Sequence, residues 1–220
     1  IGCNDGMFAS NFDRKKIICV EPCKDVALEA RKKGLNVYIN YFDDKLVKKI
    51  IKSNKKFDLI FSANTITHIS KYNSVFSNIF KILDEKGTVI IEEPSLLETI
   101  KKNSYDQFYN EHIYVFSTIA LQNILKKNGL EIYDIENIKV HGGSNRYYIK
   151  KINNKNIKSS IRFKRNMSLE KKHGLDKFSS FKKFSEKVKK SRIGLVKLLK
   201  DLKKKNEKII GYGASAKAVT

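Results

Sequence analysis

The chain is 220 residues long with 41% hydrophobic residues, enough for one full domain and part of a second. It contains no run near the roughly 18 apolar residues a membrane helix needs, and no charged-then-apolar leader opens it, so neither membrane spanning nor simple secretion is expected. The formal net charge of +22 is uneven, +5 over residues 1–150 and +17 over residues 151–220; with 39 Lys against 6 Arg it lacks the Arg forks and interleaved aromatics of a nucleic-acid surface.

Short apolar runs rich in β-formers alternate with helical spacing through the first 100 residues, the signature of βαβ units and a parallel sheet. The sequence opens on Ile1-Gly2-Cys3-Asn4-Asp5-Gly6, a glycine turn of the kind that normally follows a buried strand, so we expect a fragment whose upstream part is missing. Strands are predicted over Ile17 to Val20, Asn36 to Ile39, Phe57 to Ser62 and Thr88 to Glu92. Helices are predicted between them over Lys24 to Lys33, Asp43 to Lys52 and Tyr72 to Leu83. Asp84-Glu85-Lys86-Gly87 reads as a polar turn. Ser117 can cap a helix that runs to Lys127 and stops at Asn128-Gly129. Two more strands follow, Glu131 to Asn137 and Arg146 to Lys150, joined by a hairpin or loop carrying His141-Gly142-Gly143-Ser144.

Composition shifts near residue 151, where Lys and Asn dominate. From Lys177 to Lys205 apolar residues recur every three or four positions, predicting one amphipathic helix or two with lysines on the solvated face. Lys208-Ile209-Ile210 then reads as a strand running into the Gly211-Tyr212-Gly213-Ala214 turn, with a helix starting at Ser215 to Val219. The division expected is therefore 1–150 as one core domain, and 151–220 as a helical linker leading into an incomplete second α/β domain. Cys3, Cys19 and Cys23 are odd in number and lack paired spacing. No disulfide framework and no metal site is expected, and the thiols suit a reducing cytoplasm.

Three groups of residues carry chemistry. Gly2, Asn4, Asp5 and Gly6 form a glycine loop after a strand, and Glu21-Pro22 stands at the end of the next. Glycines let a backbone approach a ligand closely, and an acid ending the second strand can accept both ribose hydroxyls. The strict Gly-x-Gly-x-x-Gly of a pyrophosphate cradle is absent, so S-adenosyl-L-methionine fits better than a dinucleotide. Asn64 and His68 lie beyond the carboxyl end of the strand at residue 57, where open α/β sheets bind ligands. Tyr109-Asn110-Glu111-His112 places a phenol, a carboxylate and an imidazole within four residues, and a carboxylate can orient an imidazole for proton abstraction.

Taken in order, these segments resemble the S-adenosylmethionine-dependent sugar C-methyltransferases, enzymes acting on nucleotide-linked 4-keto deoxysugars. The resemblance runs through Ile1 to Gly6, Val20-Glu21-Pro22, Asn64 with His68, Tyr109-x-Glu111-His112, His141-Gly142-Gly143-Ser144-Asn145-Arg146 and Gly211-x-Gly213-Ala214-x-x-Lys217. It spans essentially the whole chain. It implies a Rossmann-like class I methyltransferase core, mainly parallel in its sheet, followed by a truncated second α/β domain. In that family a cysteine-rich zinc-binding domain precedes the core, and the resemblance implies that this sequence is a fragment that begins after it.

The resemblance also implies that Gly2, Asn4, Asp5, Gly6, Glu21 and Pro22 hold the cofactor, with Asn64 near its methyl-bearing end. Tyr109, Glu111, His112 and His68 would surround the reacting sugar carbon, and His141, Ser144, Arg146, Gly213 and Lys217 would shape the sugar-nucleotide pocket. The family usually has His where this chain has Asn110. The expected reaction is methylation of the carbon beside the ketone. His112 removes the proton, Glu111 stabilises the charged imidazole, and Tyr109 or His68 donates a hydrogen bond to the enolate oxygen. The alternatives are an O- or N-methyltransferase using His112 on a hydroxyl or amine, and a basic RNA-binding protein using residues 151–220.

Overall fold

A computed structural model describes residues 1–53 and 55–213. Two parallel strands, β1 (Cys19–Val20) and β2 (Val37–Tyr38), are joined by α1 (Lys24–Lys32), and α2 (Asp44–Lys52) leads on to β3 (Phe57–Ala63). Asp43 caps α2 by accepting from the Leu46 N–H at 2.9 Å, as its position before an apolar-periodic run dictates. Next come α3 (Tyr72–Ile82), β4 (Leu83–Pro94), α4 (Leu96–Lys102), α5 (Thr118–Lys127), β5 (Leu130–Ile138), β6 (Ser144–Lys151), α6 (Ile161–Lys172) and α7 (Phe178–Lys204).

The larger sheet has the order β3-β4-β6-β5. β3 and β4 are parallel, whereas β6 runs antiparallel to both β4 and β5, so the sheet is mixed. Alternation along β4 sends Val89, Ile91 and Glu93 into the core and leaves Ile90 and Glu92 half-buried on the opposite face. The core is completed by Phe76, Ile79, Leu121, Leu125, Ile132, Tyr147 and Ile149. Ile1 to Cys3 tie the two sheets together. The Ile1 amine donates to the Phe61 carbonyl at 2.8 Å, while the Gly2 and Cys3 N–H groups donate to the Val20 carbonyl at 2.8 and 3.2 Å.

Sequence periodicity places most elements to within a residue or two, with four differences. The polar turn at Asp84 to Gly87 lies inside β4 as a bulge: Phe57 pairs with Leu83 but Leu59 with Thr88, so the extra residues loop out of the ladder. α4 and α6 were not expected. Both carry local signals, since Ser95 accepts from Glu98 N–H and Ser160 from Phe163 N–H, and Asn103 ends α4 at φ 54°. Finally, Lys208 to Ile210 form no strand, because no neighbouring strand among the described residues supplies hydrogen bonds to them. The helix expected at Ser215 to Val219 lies outside the described residues.

Candidate active site

The ends of β1 and β3 open onto a cleft of about 1760 Å³ whose lining includes Gly2, Asn4, Asp5, Glu21, Pro22, Asn64 and His68. Residues from the opening loop and from two separate strand ends thus meet on one surface. Gly6 is buried behind it. Gly2, at φ 66°, faces Thr65 so closely that a Cβ would fall 2.2 Å from its Oγ1; only glycine lets the first loop close on the loop after β3. Asn4 and Asn64 both take left-handed backbone, at φ 52° and 48°, a conformation that asparagine tolerates better than most residues.

Glu21 is buried and acts as a clasp. Its Oε2 accepts from the Asn4 N–H at 2.9 Å and its Oε1 from the Cys23 N–H at 3.0 Å. Each oxygen retains a lone pair for a further donor. Asp5 accepts from Lys33 at 2.7 Å and from Met7 N–H at 3.2 Å, and the lysine bond holds its carboxyl below the usual range. Among the described residues the three cysteines are free thiols, with Cys19 buried, Cys3 half-buried and Cys23 exposed. Carboxylate and amide oxygens therefore dominate the loop end of the cleft. That acceptor set fits a ligand with ribose hydroxyls and a positive centre but no phosphate, as S-adenosylmethionine is.

Beside the cleft stand two imidazoles. The His68 Nδ1 lies 2.7 Å from the carbonyl oxygen of Glu111, and the His112 Nδ1 lies 2.9 Å from the carbonyl oxygen of Gln107. A carbonyl only accepts, so in both rings Nδ1 carries the proton and Nε2 is the acceptor nitrogen of the neutral form. The rings meet edge to face with centroids 5.1 Å apart, and Tyr109 packs against His112 at 4.2 Å. The expected partnership of Glu111 with His112 takes a different form here. The Glu111 side chain is exposed and its main-chain oxygen orients His68, because neighbouring residues on this irregular segment turn in different directions.

His141, Gly142 and Gly143 form a turn anchored on α4. Ser95 N–H donates to the Gly143 carbonyl at 3.1 Å, Lys102 bonds the Gly142 carbonyl, and the buried Gln107 amide donates to the His141 carbonyl at 3.4 Å. Gln107 thereby connects this turn to His112. Ser144 is buried and donates to the Val140 carbonyl, while Arg146 pairs with Glu92 at 2.6 Å and Glu136 at 3.0 Å on the half-buried sheet face. Gly213 is exposed, and Lys217 lies outside the described residues. Sequence reasoning missed Glu93, Thr67 and Gln107. Only Glu93 left a trace, as an acid in phase with the inward-facing Val89 and Ile91 of an apolar strand.

A family model described as a methyltransferase domain matches residues 1–135, and one described as a C-methyltransferase C-terminal domain matches residues 139–220. The C-methyltransferase NovU of Streptomyces niveus is 26% identical over 145 residues, covering 65% of this chain and 34% of its own length, so the chain spans about a third of that curated relative. Among solved structures, an S-adenosylmethionine-dependent methyltransferase from Clostridium acetobutylicum superposes with a TM-score of 0.53 at 16% identity, covering 68% of this chain and 81% of that one. The magnesium protoporphyrin IX methyltransferase of Synechocystis PCC 6803, solved with bound S-adenosylhomocysteine, gives 0.52 at 14% identity, covering 68% and 71%. At those identities the structural likeness speaks to fold, and the first family model spans more than half of the sequence. The chain therefore belongs to the methyltransferase domain family.

Proposed function

We propose that this chain carries the methyl-transfer site of a C-methyltransferase that acts on the carbon next to the ketone of a nucleotide-linked 4-keto deoxysugar. The observation carrying this reading is the pair of imidazoles, each held in one tautomer: His68 lines the cleft, and His112 packs against it and beside Tyr109. The match of residues 139–220 to a C-methyltransferase C-terminal domain and the likeness to NovU support carbon as the acceptor.

Gly2, Asn4, Asp5, Gly6, Glu21, Pro22 and Asn64 are the residues that would hold S-adenosylmethionine, with Glu21 positioned for hydroxyl donors. When bound, that cofactor supplies an electrophilic methyl group on a sulfonium. The chain's own task is to make the sugar carbon nucleophilic. A ketone acidifies the neighbouring C–H, and His112 Nε2 accepts that proton. The Gln107 carbonyl keeps its hold on Nδ1–H and stabilises the imidazolium that forms. Tyr109, or His68 once its Nε2 is protonated, donates to the oxygen on which negative charge develops. The 141–146 segment, with Gly213 and Lys217, would bound the sugar-nucleotide side, and the division into a 1–150 core and a following region carries over to this reading.

The test has two stages. Calorimetric titration with S-adenosylhomocysteine should show saturable binding that Asp5→Ala and Glu21→Ala weaken. The chain, with the cofactor absent, should then exchange the α-hydrogen of a 4-keto sugar nucleotide with deuterated water, and His112→Ala should abolish the exchange without changing cofactor affinity. Methylation of a hydroxyl or amine substrate with no α-exchange would refute the carbon reading and favour an O- or N-methyltransferase.

A further inference from the structure

Glu93 is 1% exposed at the end of β4, opposite Asn145 in the ladder with β6. Its Oε1 accepts three consecutive main-chain N–H groups from the loop after β3, Ile66 at 2.8 Å, Thr65 at 3.2 Å and Thr67 at 3.4 Å. Its Oε2 is buried and has no hydrogen-bond partner among the described residues. A carboxyl group placed there is costly unless those amides need it, and among the described residues nothing else gives Ile66 N–H a partner. Burial pushes this acid up to about 7 despite the three donors.

The loop it holds reaches both imidazoles. His68 follows directly on the three held amides. Thr67, fully buried, passes the constraint on: its carbonyl accepts from the Ile113 N–H at 3.0 Å and the Tyr114 N–H at 3.3 Å, and its hydroxyl bonds the Tyr114 carbonyl. The residues so pinned follow directly on Glu111 and His112, and the Glu111 carbonyl fixes the His68 ring in return.

We propose that Glu93 is the positioning residue of the two-imidazole face, its carboxylate holding Thr65 to Thr67 and, through Thr67, the segment that presents His112. This rests on the reading of His68 and His112 as the substrate-facing pair. Glu93 touches neither ring and is not itself catalytic. Its effect is on where the acceptor nitrogens point, and a displacement of about 1 Å at such a group costs on the order of a hundredfold in rate.

Two variants test the assignment. Glu93→Gln keeps an acceptor oxygen in place but removes the charge that strengthens the three bonds. Thr67→Val leaves the acid intact and removes only the hydroxyl link to Tyr114. Nitrogen-15 correlation spectra of the histidine rings in the full chain should show Nδ1–H tautomers for both rings in the wild type. In Glu93→Gln the signals of His68 and His112 should move together, whereas in Thr67→Val those of His112 should move further than those of His68. Turnover of Glu93→Gln should fall about ten- to a hundredfold with the affinity for S-adenosylhomocysteine unchanged. Wild-type ring signals in a folded Glu93→Gln chain would overturn the proposal, as would a Thr67→Val chain in which neither ring responds. Should the wild type methylate no sugar nucleotide, the functional reading fails while the ring signals still decide the positioning role.

Discussion

The last two helices make an instructive pair. α7 has the clearer helical pattern in its sequence, yet none of its 27 residues is buried; Phe178 is 83% exposed and Leu198 55%. α6 has little apolar periodicity and still docks against the sheet, burying Phe163, Asn166 and Glu170. What anchors α6 is polar. The Glu170 carboxylate accepts from Thr118 N–H at 2.8 Å and Ile119 N–H at 2.9 Å, capping α5 from outside, and Thr118 donates to Asn166 at 2.7 Å. Periodicity says that a helix forms and which stripe is apolar. Whether that stripe finds a neighbour depends on groups that periodicity does not register.

The largest expected effect comes from cutting the α6 anchor. Glu170→Ala leaves two N–H groups of α5 buried without acceptors and should cost about 4 kcal/mol, read from urea unfolding. A loss below about 1 kcal/mol would mean that water replaces the carboxylate, and that polar anchoring is not what separates α6 from α7.

Glu93 is the same device at the end of β4, and pH sharpens the comparison. The buried Tyr147 of β6 faces it, its own hydroxyl pushed upward by burial. The Glu93 carboxyl rises from 4.5 to about 7 on folding, so the unfolded chain ionises first. Its contribution is therefore intact below pH 4.5, declines between pH 4.5 and 7, and levels off above that, a loss of about 3 kcal/mol in total. Glu170 is shifted in the same direction by burial. In Glu93→Gln the decline should shrink by that amount in melting curves taken across the range. An unchanged slope would show that the carboxyl ionises as readily folded as unfolded.

Smaller effects follow. Ser117 caps α5 by accepting from Ala120 N–H at 3.1 Å, and Ser117→Ala should cost about 1 kcal/mol in thermal unfolding. On α7, Leu195→Ala and Leu198→Ala should each change stability by less than about 0.5 kcal/mol, since both side chains stay half exposed. A larger loss would show that α7 is covered in solution and would close the gap between the two helices.

Much of the fold is legible along the chain because its causes are local. Asp43 and Ser117 stand where capping residues must, β4 alternates as a half-buried strand does, and Asn128-Gly129 stops α5. The missed helices α4 and α6 are short on apolar periodicity, and their serine caps are single residues in a sequence rich in serine. The site divides in the same way. Gly2, Asn4, Asp5, Glu21, Pro22, Asn64 and His68 are recognisable because strand ends in a βαβ arrangement converge, and they do meet on one cleft. Glu111 next to His112 in sequence suggested a carboxylate contact, whereas the turn of the backbone puts the Gln107 carbonyl at His112 and the Glu111 carbonyl at His68.

By itself, then, the sequence determines the alternation of strands and helices, the glycine loop and the residue types at the strand ends, because dihedral preference, capping and burial parity act over a few neighbouring residues. Tertiary structure alone decides that a buried Glu93 fastens the loop of His68, that Thr67 carries this hold to the segment of His112, and that α6 docks while α7 does not. Those outcomes join groups 26 to 52 residues apart, and such contacts form only where the sheet brings distant backbone amides against a carboxylate that water can no longer reach.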